Sequence, residues 1–354
     1  MSDVVVVGAG IVGSSVAYHL ARQGASVTLI DAGPSPAAGV TGASFAWIGG
    51  CSGDWPGGAE DLRGSVLADY RRLEAELPGV AVRWTGSLVW SDTSVRSGEG
   101  ARTGDGQYVV GRREIADLEP NLRTPPEQAV YTPTDGGVDP VAMTVALVDA
   151  ARALGAQVVH GSPVTSLKTV GGRVTGVMTC DGFHPASTVV LAAGTGVRVL
   201  CAPLGVALPV AASPAFSLRV AAPAGLVRTV LAGPEFEARE YRDGHLMMTT
   251  PYTEGTAYRE GLSGASTLDR LARRTLERLR SAFHDTGPVH LLGHQVGMRP
   301  MPANGPIVGR LTPDESVYVA VMHSAVTLAP TIGRLVAHEL LTGESVPELR
   351  RCRP

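Results

Sequence analysis

Four β-branched residues in a row, Val4-Val5-Val6-Val7, have no helical period and predict a strand buried on both faces. Apolar positions then recur at Val12, Val16, Ala17, Leu20 and Ala21, the spacing of one helix face, and Gly24 stands where a helix stops. A second apolar run over 26–30 ends on Asp31. The opening therefore reads strand, turn, helix, strand, acid.

The same reading continues down the chain. Residues 34–58 have no clear period and are rich in Gly, Ser, Ala and Pro, as expected of a functional loop. Leu62, Val66, Leu67, Tyr70, Leu73 and Leu77 predict one amphipathic helix, and 82–90 a strand with Gly86 as a bulge. The polar stretch 91–111 is expected to be an exposed insertion, and 112–118 a short helix. Asp139 fits an N-cap, Pro140 the first helical position and Gly155 the stop of a helix running to Leu154. A strand over 157–160 follows, then a hairpin of 164–170 with 173–179 turning at Gly171-Gly172, then a buried strand over 187–193. Strands predominate at 215–220, 227–231, 235–241 and 246–250. Leucines 268, 271, 276 and 279 predict a helix over 268–283, and 289–298 and 317–321 are strand-like. A closing helix over 327–341 is kinked or begun at Pro330. The fold class expected is α/β in two domains: a doubly wound, Rossmann-like unit from 1–45, 138–205 and 295–354, interleaved with a β-rich antiparallel unit from 46–137 and 206–294.

Chemistry enters at Gly8-Ala9-Gly10-Ile11-Val12-Gly13. Gly8 permits the tight turn, Gly10 lets a pyrophosphate approach the backbone, and Gly13 lets the helix pack closely on the sheet. The helix N-terminus offers unpaired N–H groups to phosphate. Asp31 is placed to accept from an adenosine ribose, and its charge would repel a 2′-phosphate, which favours FAD or NAD over NADP. The motif has its full context of strand, helix, second strand and acid, so a bland glycine-rich turn explains it poorly.

Composition excludes more than it selects. The chain has 354 residues, 44% hydrophobic and 18% charged, with net charge -3, so no nucleic-acid or membrane-surface partner is expected. No apolar run reaches the length of a membrane span, and the motif starts too early for a signal peptide before it, so a cytoplasmic location is expected. Cys51, Cys180, Cys201 and Cys352 lack metal-ligand spacing and read as free thiols.

Three further blocks carry a resemblance. They are Asp139-Pro140 with its helix, strand and Gly-Gly hairpin, then 189–196 (VVLAAGTG), then 297–309 (GMRPMPANGPIVG) with 322–333 (MHSAVTLAPTIG). In this order they resemble the glycine/D-amino-acid oxidase family of flavoproteins, which includes glycine oxidase, D-amino-acid dehydrogenase and sarcosine oxidase. The resemblance covers nearly the whole chain, though 45–130 and 205–290 match in texture more than in motif. It implies noncovalent FAD on Gly8, Gly10, Ile11, Val12, Gly13 and Asp31. Sarcosine oxidases attach flavin to a cysteine near the position of Met298 or Arg299, and no cysteine stands there. The resemblance further implies Ala43 and Ser44 at the pyrophosphate, Val164 at the adenine, Ala193 and Gly194 beside the nucleotide, and Arg299, Ser324, Ala325, Val326 and Thr327 on the flavin side. The N-terminus of the closing helix would stabilise the anionic reduced ring.

Arg299 is expected to pair with a substrate carboxylate, because a planar guanidinium makes two parallel hydrogen bonds to it. His323 is expected near the flavin. Arg239 and Tyr241 alternate on one strand face and are candidates for the roof of the pocket. His245, Tyr252, Trp47 and Cys51 are weaker candidates. Ala325 stands where many relatives carry Gly, and Asn304 where an acid is common, which leaves the substrate open. The resemblance implies oxidation of an amino acid or related amine, D-configured, glycine-like, N-alkylated or cyclic, by hydride transfer to flavin, giving an imine. The electron acceptor is dioxygen, a quinone or another carrier. Rival readings are dehydrogenation of a specialised cyclic amine, an FAD-binding subunit without turnover, and an NAD-dependent dehydrogenase. Homo-oligomerisation and pathway stay open.

Overall fold

The computed structural model describes residues 3–49, 57–91, 102–104, 106–250 and 265–354. The valine run forms the strand Asp3–Val7 near the centre of a six-stranded sheet. Ser26–Ile30 lies on one side of it and Thr188–Leu191 on the other, both parallel, with Val4 opposite Val27 and Thr188. Gln157–Val159 and Val317–Val321 extend the sheet in parallel, and Ile307–Arg310 closes one edge antiparallel. Alternate valines serve opposite faces. Val4 and Val6 pack in the core formed by the helices Ile11–Arg22, Pro140–Ala153 and Ala325–Thr342, whereas Val5 and Val7 pack against the hairpin Ser166–Val170 and Arg173–Thr179. All four are 5% exposed or less. Each such side chain contributes about 1.5–3 kcal/mol by leaving water.

Capping residues hold the helices in place. The Asp139 side chain accepts from the N–H groups of Val141 (3.0 Å) and Ala142 (3.2 Å) ahead of Pro140. The closing helix starts at Ala325, five residues before Pro330, so the proline lies inside it. Proline has no N–H to give to the carbonyl four residues back. That carbonyl belongs to Val326, and it accepts instead from the Tyr70 hydroxyl at 2.5 Å.

Among the described residues the second sheet has nine strands. In order they are His290–Pro302, Val210–Ala221, His245–Thr249, Glu237–Arg242, Val230–Ala232, Ser87–Val89, Gln128–Thr132, Gln107–Gly111 and Arg102–Gly104. Only the pair Val230–Ala232 with Ser87–Val89 is parallel. One face carries Phe216, Leu218, Leu231, Ala238, Leu246 and Met248, packed with Ala272, Leu276, Leu279 and Phe283 of the helix Ala265–Ala282 and its end. Strand alternation sends the intervening residues the other way. Thr249 pairs with Ser217 and with Glu237, Ser217 pairs with Gln295, and Ser213 with Arg299. This polar face looks toward the six-stranded half, and the two faces form the walls of a cleft.

Several expected elements differ in extent. The helix over 62–77 is two pieces, Ala59–Arg63 and Val66–Glu76. The stretch 91–111 is not simply a loop: Arg102–Gly104 and Gln107–Gly111 add two strands to the large sheet, burying Val109 and Val110 completely. The strand expected over 289–298 runs to Pro302, so a boundary at 295 would fall inside a strand of the large sheet. Strands at Trp47–Ile48 and Gly136–Val138 were too short for a periodicity argument to detect. Cys180, Cys201 and Cys352 are free thiols, and burial pushes Cys201 and Cys352 up to about 11. Cys51 lies outside the described residues.

Candidate active site

The glycine turn leaves no room for side chains. Gly8 has φ +109°, and a Cβ on it would lie 2.5 Å from the Ala192 carbonyl oxygen. A Cβ on Gly13 would lie 1.9 Å from the Gly8 oxygen, so helix and turn touch through bare backbone. Ile11 and Val12 are buried in the first turn of the helix. The Ile11 N–H is held by the Thr41 hydroxyl at 3.1 Å, and Gly10, at the N-cap, has no side chain to cap the rest. The Asp31 carboxylate accepts from the N–H groups of Ala9 and Gly33, both at 2.6 Å. Gly161 N–H reaches Gly33 O and Ser162 N–H reaches Asp31 O, which fixes the 161–164 segment beside the acid. Val164 is half-buried there and precedes the hairpin strand, which begins at Ser166 and not at 164.

Ala43 is buried under Gly297, whose Cβ would lie 2.8 Å from that of Ala43. Ser44 Oγ accepts from Ala46 N–H at 3.1 Å, a bond within its own loop, and Ala46 sits at φ +54°. Ala193 and Gly194 (φ +56°) follow Thr188–Leu191 and are half-buried beside Gly8. This donor-rich turn fits a dinucleotide such as FAD: the N–H groups of Val12 and Gly13 at the start of the helix would meet a pyrophosphate, and Asp31 would meet a ribose.

At the other end of the cleft, Arg299 is half-buried. Its Nη2 donates to Ser213 Oγ (2.9 Å) and the Pro214 carbonyl (3.4 Å), and its buried Nε has no acceptor. Among the described residues no carboxylate forms an ion pair with it. His323 opens on the cleft, its Nδ1 3.1 Å from Ser324 Oγ. The protein around its ring, and then the Arg299 charge, hold its pKa below the ordinary histidine value. Ser324 has φ +54°, a strained left-handed conformation for a residue with a Cβ, and starts the closing helix. Ala325 is half-buried; Val326 and Thr327 are buried, and Thr327 Oγ donates to the Trp47 carbonyl at 2.9 Å. The first-turn N–H groups of this helix have no intrahelical acceptor.

Arg239 and Tyr241 do not open on the cleft. Arg239 is 1% exposed. Its Nε donates to the Phe45 carbonyl and its Nη2 to the Val138 carbonyl at 2.6 Å, and the guanidinium lies 5.5 Å over the Phe45 ring. Burial drags its pKa down to about 9. Tyr241 is 6% exposed, packed edge-on to His245 and beneath Arg242. Arg239 is a clasp between the two halves, whereas Tyr241 meets His245 and Arg242 of its own sheet, where the register shifts between Glu240 and Arg242. Trp47 is anchored by its indole N–H to Asp135 at 2.9 Å. Tyr252 lies outside the described residues.

Sequence reasoning passed over Thr41, Arg219, Gln295 and Glu237. Arg219 (3.2 Å) and Gln295 both donate to the Gly42 carbonyl, tying the large sheet to the loop beside the glycine turn. Gln295 lies four residues before Arg299 on the same strand face, so alternation could have found it. The same holds for Glu237, two residues before Arg239. Its half-buried carboxyl is pushed up to about 7 by burial, with Arg299 pulling the other way.

Residues 3–339 match the family model described as FAD dependent oxidoreductase. The human mitochondrial dimethylglycine dehydrogenase is 32% identical over 219 residues, covering 59% of this chain and 25% of that protein, so the chain spans about a quarter of its length. A D-amino acid dehydrogenase of Bradyrhizobium diazoefficiens is 26% identical over 412 residues, covering 98% of this chain and 96% of that one. Among solved structures, glycine oxidase from Bacillus cereus superposes with TM-score 0.78 over 99% of this chain and 97% of its own, at 21% identity, a likeness of fold.

Proposed function

The chain belongs to the family of FAD-dependent oxidoreductases, and from that membership we propose that it oxidises the C–N bond of a small amino acid or related amine bearing a free carboxylate. The observation that carries this reading is Arg299: a cationic side chain at the cleft, with an Nε unengaged and no acid paired to it among the described residues. A substrate carboxylate supplies the two acceptors that such a fork is built to meet.

FAD, held noncovalently, would rest on Gly8, Gly10, Ile11, Val12, Gly13 and Asp31, with Ala43, Ser44, Val164, Ala193 and Gly194 around its nucleotide. Ser324, Ala325, Val326 and Thr327 would stand at its flavin. When bound, it supplies an acceptor for the hydride leaving the carbon that bears the amine. The protein does the rest by position. Arg299 fixes the carboxylate, and with it the direction of the α C–H. His323, neutral because its pKa is lowered, adds no second cation beside Arg299. The positive end of the closing helix favours negative charge developing at the cleft wall. Dioxygen, a quinone or another carrier then takes up the electrons.

The test is a visible spectrum followed by anaerobic mixing with glycine, sarcosine, dimethylglycine and D-alanine. A flavin spectrum bleached by one of them supports the reading. Arg299→Ala then lowers the second-order rate of bleaching about 10²-fold or more, since an ion pair in a shielded site loses about 3–5 kcal/mol with one partner. Arg299→Lys recovers part of that rate, because a point charge replaces the fork. Equal rates in all three proteins would rule Arg299 out as the carboxylate site.

A further inference from the structure

Glu237 is the acidic residue on the cleft face of the strand Glu237–Arg242. Its direction follows from its neighbours. Ala238 packs into the core on the far side of the sheet with Phe216, Leu218 and Met248, so Glu237 points the other way. Arg239, next but one, leaves the sheet on that same side and is buried against Phe45 and Val138. In register, Glu237 stands beside Thr249, which stands beside Ser217, which stands beside Gln295. Gln295 in turn reaches Gly42 on the loop next to the glycine turn. One row of side chains thus runs from the cofactor loop to this carboxyl.

Nothing in the described protein uses the carboxyl. No donor hydrogen-bonds it and no cation forms a salt bridge with it, although it is half-buried. The flanking strands offer it only the uncharged Thr249 and Ala232. Among the described residues, Arg219 on Val210–Ala221, His323 across the cleft and Arg299 on His290–Pro302 are the other titratable or charged groups on these walls, and Arg239 and Tyr241 are buried on Glu237's own strand. Arg239 is engaged with two carbonyls and Arg219 with the Gly42 carbonyl, and among the described residues the charge that acts on Glu237 is that of Arg299. Among the described residues, a half-buried acid without a donor and an arginine without an acid share one face of one sheet. They are held apart, and a zwitterion supplies what each lacks.

Resting on the function proposed above, we propose that Glu237 receives the substrate's nitrogen: with the carboxylate on Arg299, the ammonium lies against Glu237, which takes its proton. The N–H bond breaks, an O–H bond forms on Glu237, and the amine keeps the electron pair. That pair pushes out the hydride that the flavin accepts, leaving an iminium that water hydrolyses. A carboxyl pushed up to about 7 by burial suits this task, because its ionised form takes a proton more readily than an ordinary carboxylate does.

The experiment compares wild type, Glu237→Gln and Glu237→Asp as flavin-loaded proteins. Two readouts are taken: perturbation of the flavin spectrum by acetate, a carboxylate without an amine, and the pH profile of anaerobic bleaching by glycine, sarcosine, dimethylglycine and D-alanine. Glu237→Gln is expected to bind acetate no more weakly than wild type. Its bleaching should fall about 10²-fold at pH 7, and its rising limb should move from near pH 7 toward the amine's own ionisation. Glu237→Asp should restore the limb. A Gln variant that keeps both rate and limb overturns the proposal, and so does one that loses acetate and amines alike, which marks a packing role. A wild-type flavin that binds acetate but is bleached by no amine overturns the functional reading and this inference together.

Discussion

At Gly13 the gap between helix and turn is smaller than a methyl group, since a Cβ would sit 1.9 Å from the Gly8 oxygen. Gly13→Ala must therefore push the helix off the turn that would cradle pyrophosphate. We expect the variant to purify with less than about a tenth of the wild-type flavin, read as the ratio of absorbance at 450 to 280 nm, since misplacing a phosphate cradle forfeits its N–H contacts. This residue was legible because the strand, glycine motif, helix and acid of 4–31 are contiguous. Arg239 was legible only in part. Alternation set its direction, but the acceptors that bury it, Phe45 and Val138, come from segments far away in sequence. Glu237 escaped notice for the opposite reason: its environment consists of partners it does not have, and no motif records an absence.

Among the elements, those with strong period or caps came through from sequence, as Asp3–Val7 and Pro140–Ala153 show. The closing helix did not come through in full, because Pro330 marks a break in any reading by pattern. It does not break the helix because Tyr70, on the helix Val66–Glu76, supplies a hydroxyl to the carbonyl that the proline leaves bare. That donor is 256 positions away in sequence and leaves no local signal. Tyr70→Phe should strand a buried carbonyl and lower stability by about 1–3 kcal/mol, seen as a lower urea midpoint with unchanged slope. The two short helices at 59–76 replace one for a related reason: Gly64 and Ser65 interrupt an apolar spacing that by itself runs straight through.

The molecule as a whole holds a half-buried acid that no described donor solvates, and stability should report it. Glu237 titrates near 7 in the folded state against about 4.5 when unfolded. A raised acid pKa means that the folded state binds the proton more tightly. The uncharged form is then fully compatible with folding below pH 4.5, and stability is lost as pH rises through 7. Glu237→Gln should therefore raise the melting temperature at pH 8, by a free energy on the order of 1–3 kcal/mol, and leave it unchanged at pH 4. Higher stability together with lost turnover is the pattern expected where a functional group is kept against the interest of the fold.

The Gly42 carbonyl offers a different consequence. It belongs to the loop beside the nucleotide cradle, yet Arg219 and Gln295 of the large sheet hold it. Gln295 lies in the row that ends at Glu237, four residues from Arg299. Whatever orders that loop also biases the sheet, and the bias must run equally in both directions. Occupancy at one end is then information at the other: a cofactor that settles the loop tightens the grip on substrate, and a substrate that settles the sheet slows the departure of cofactor.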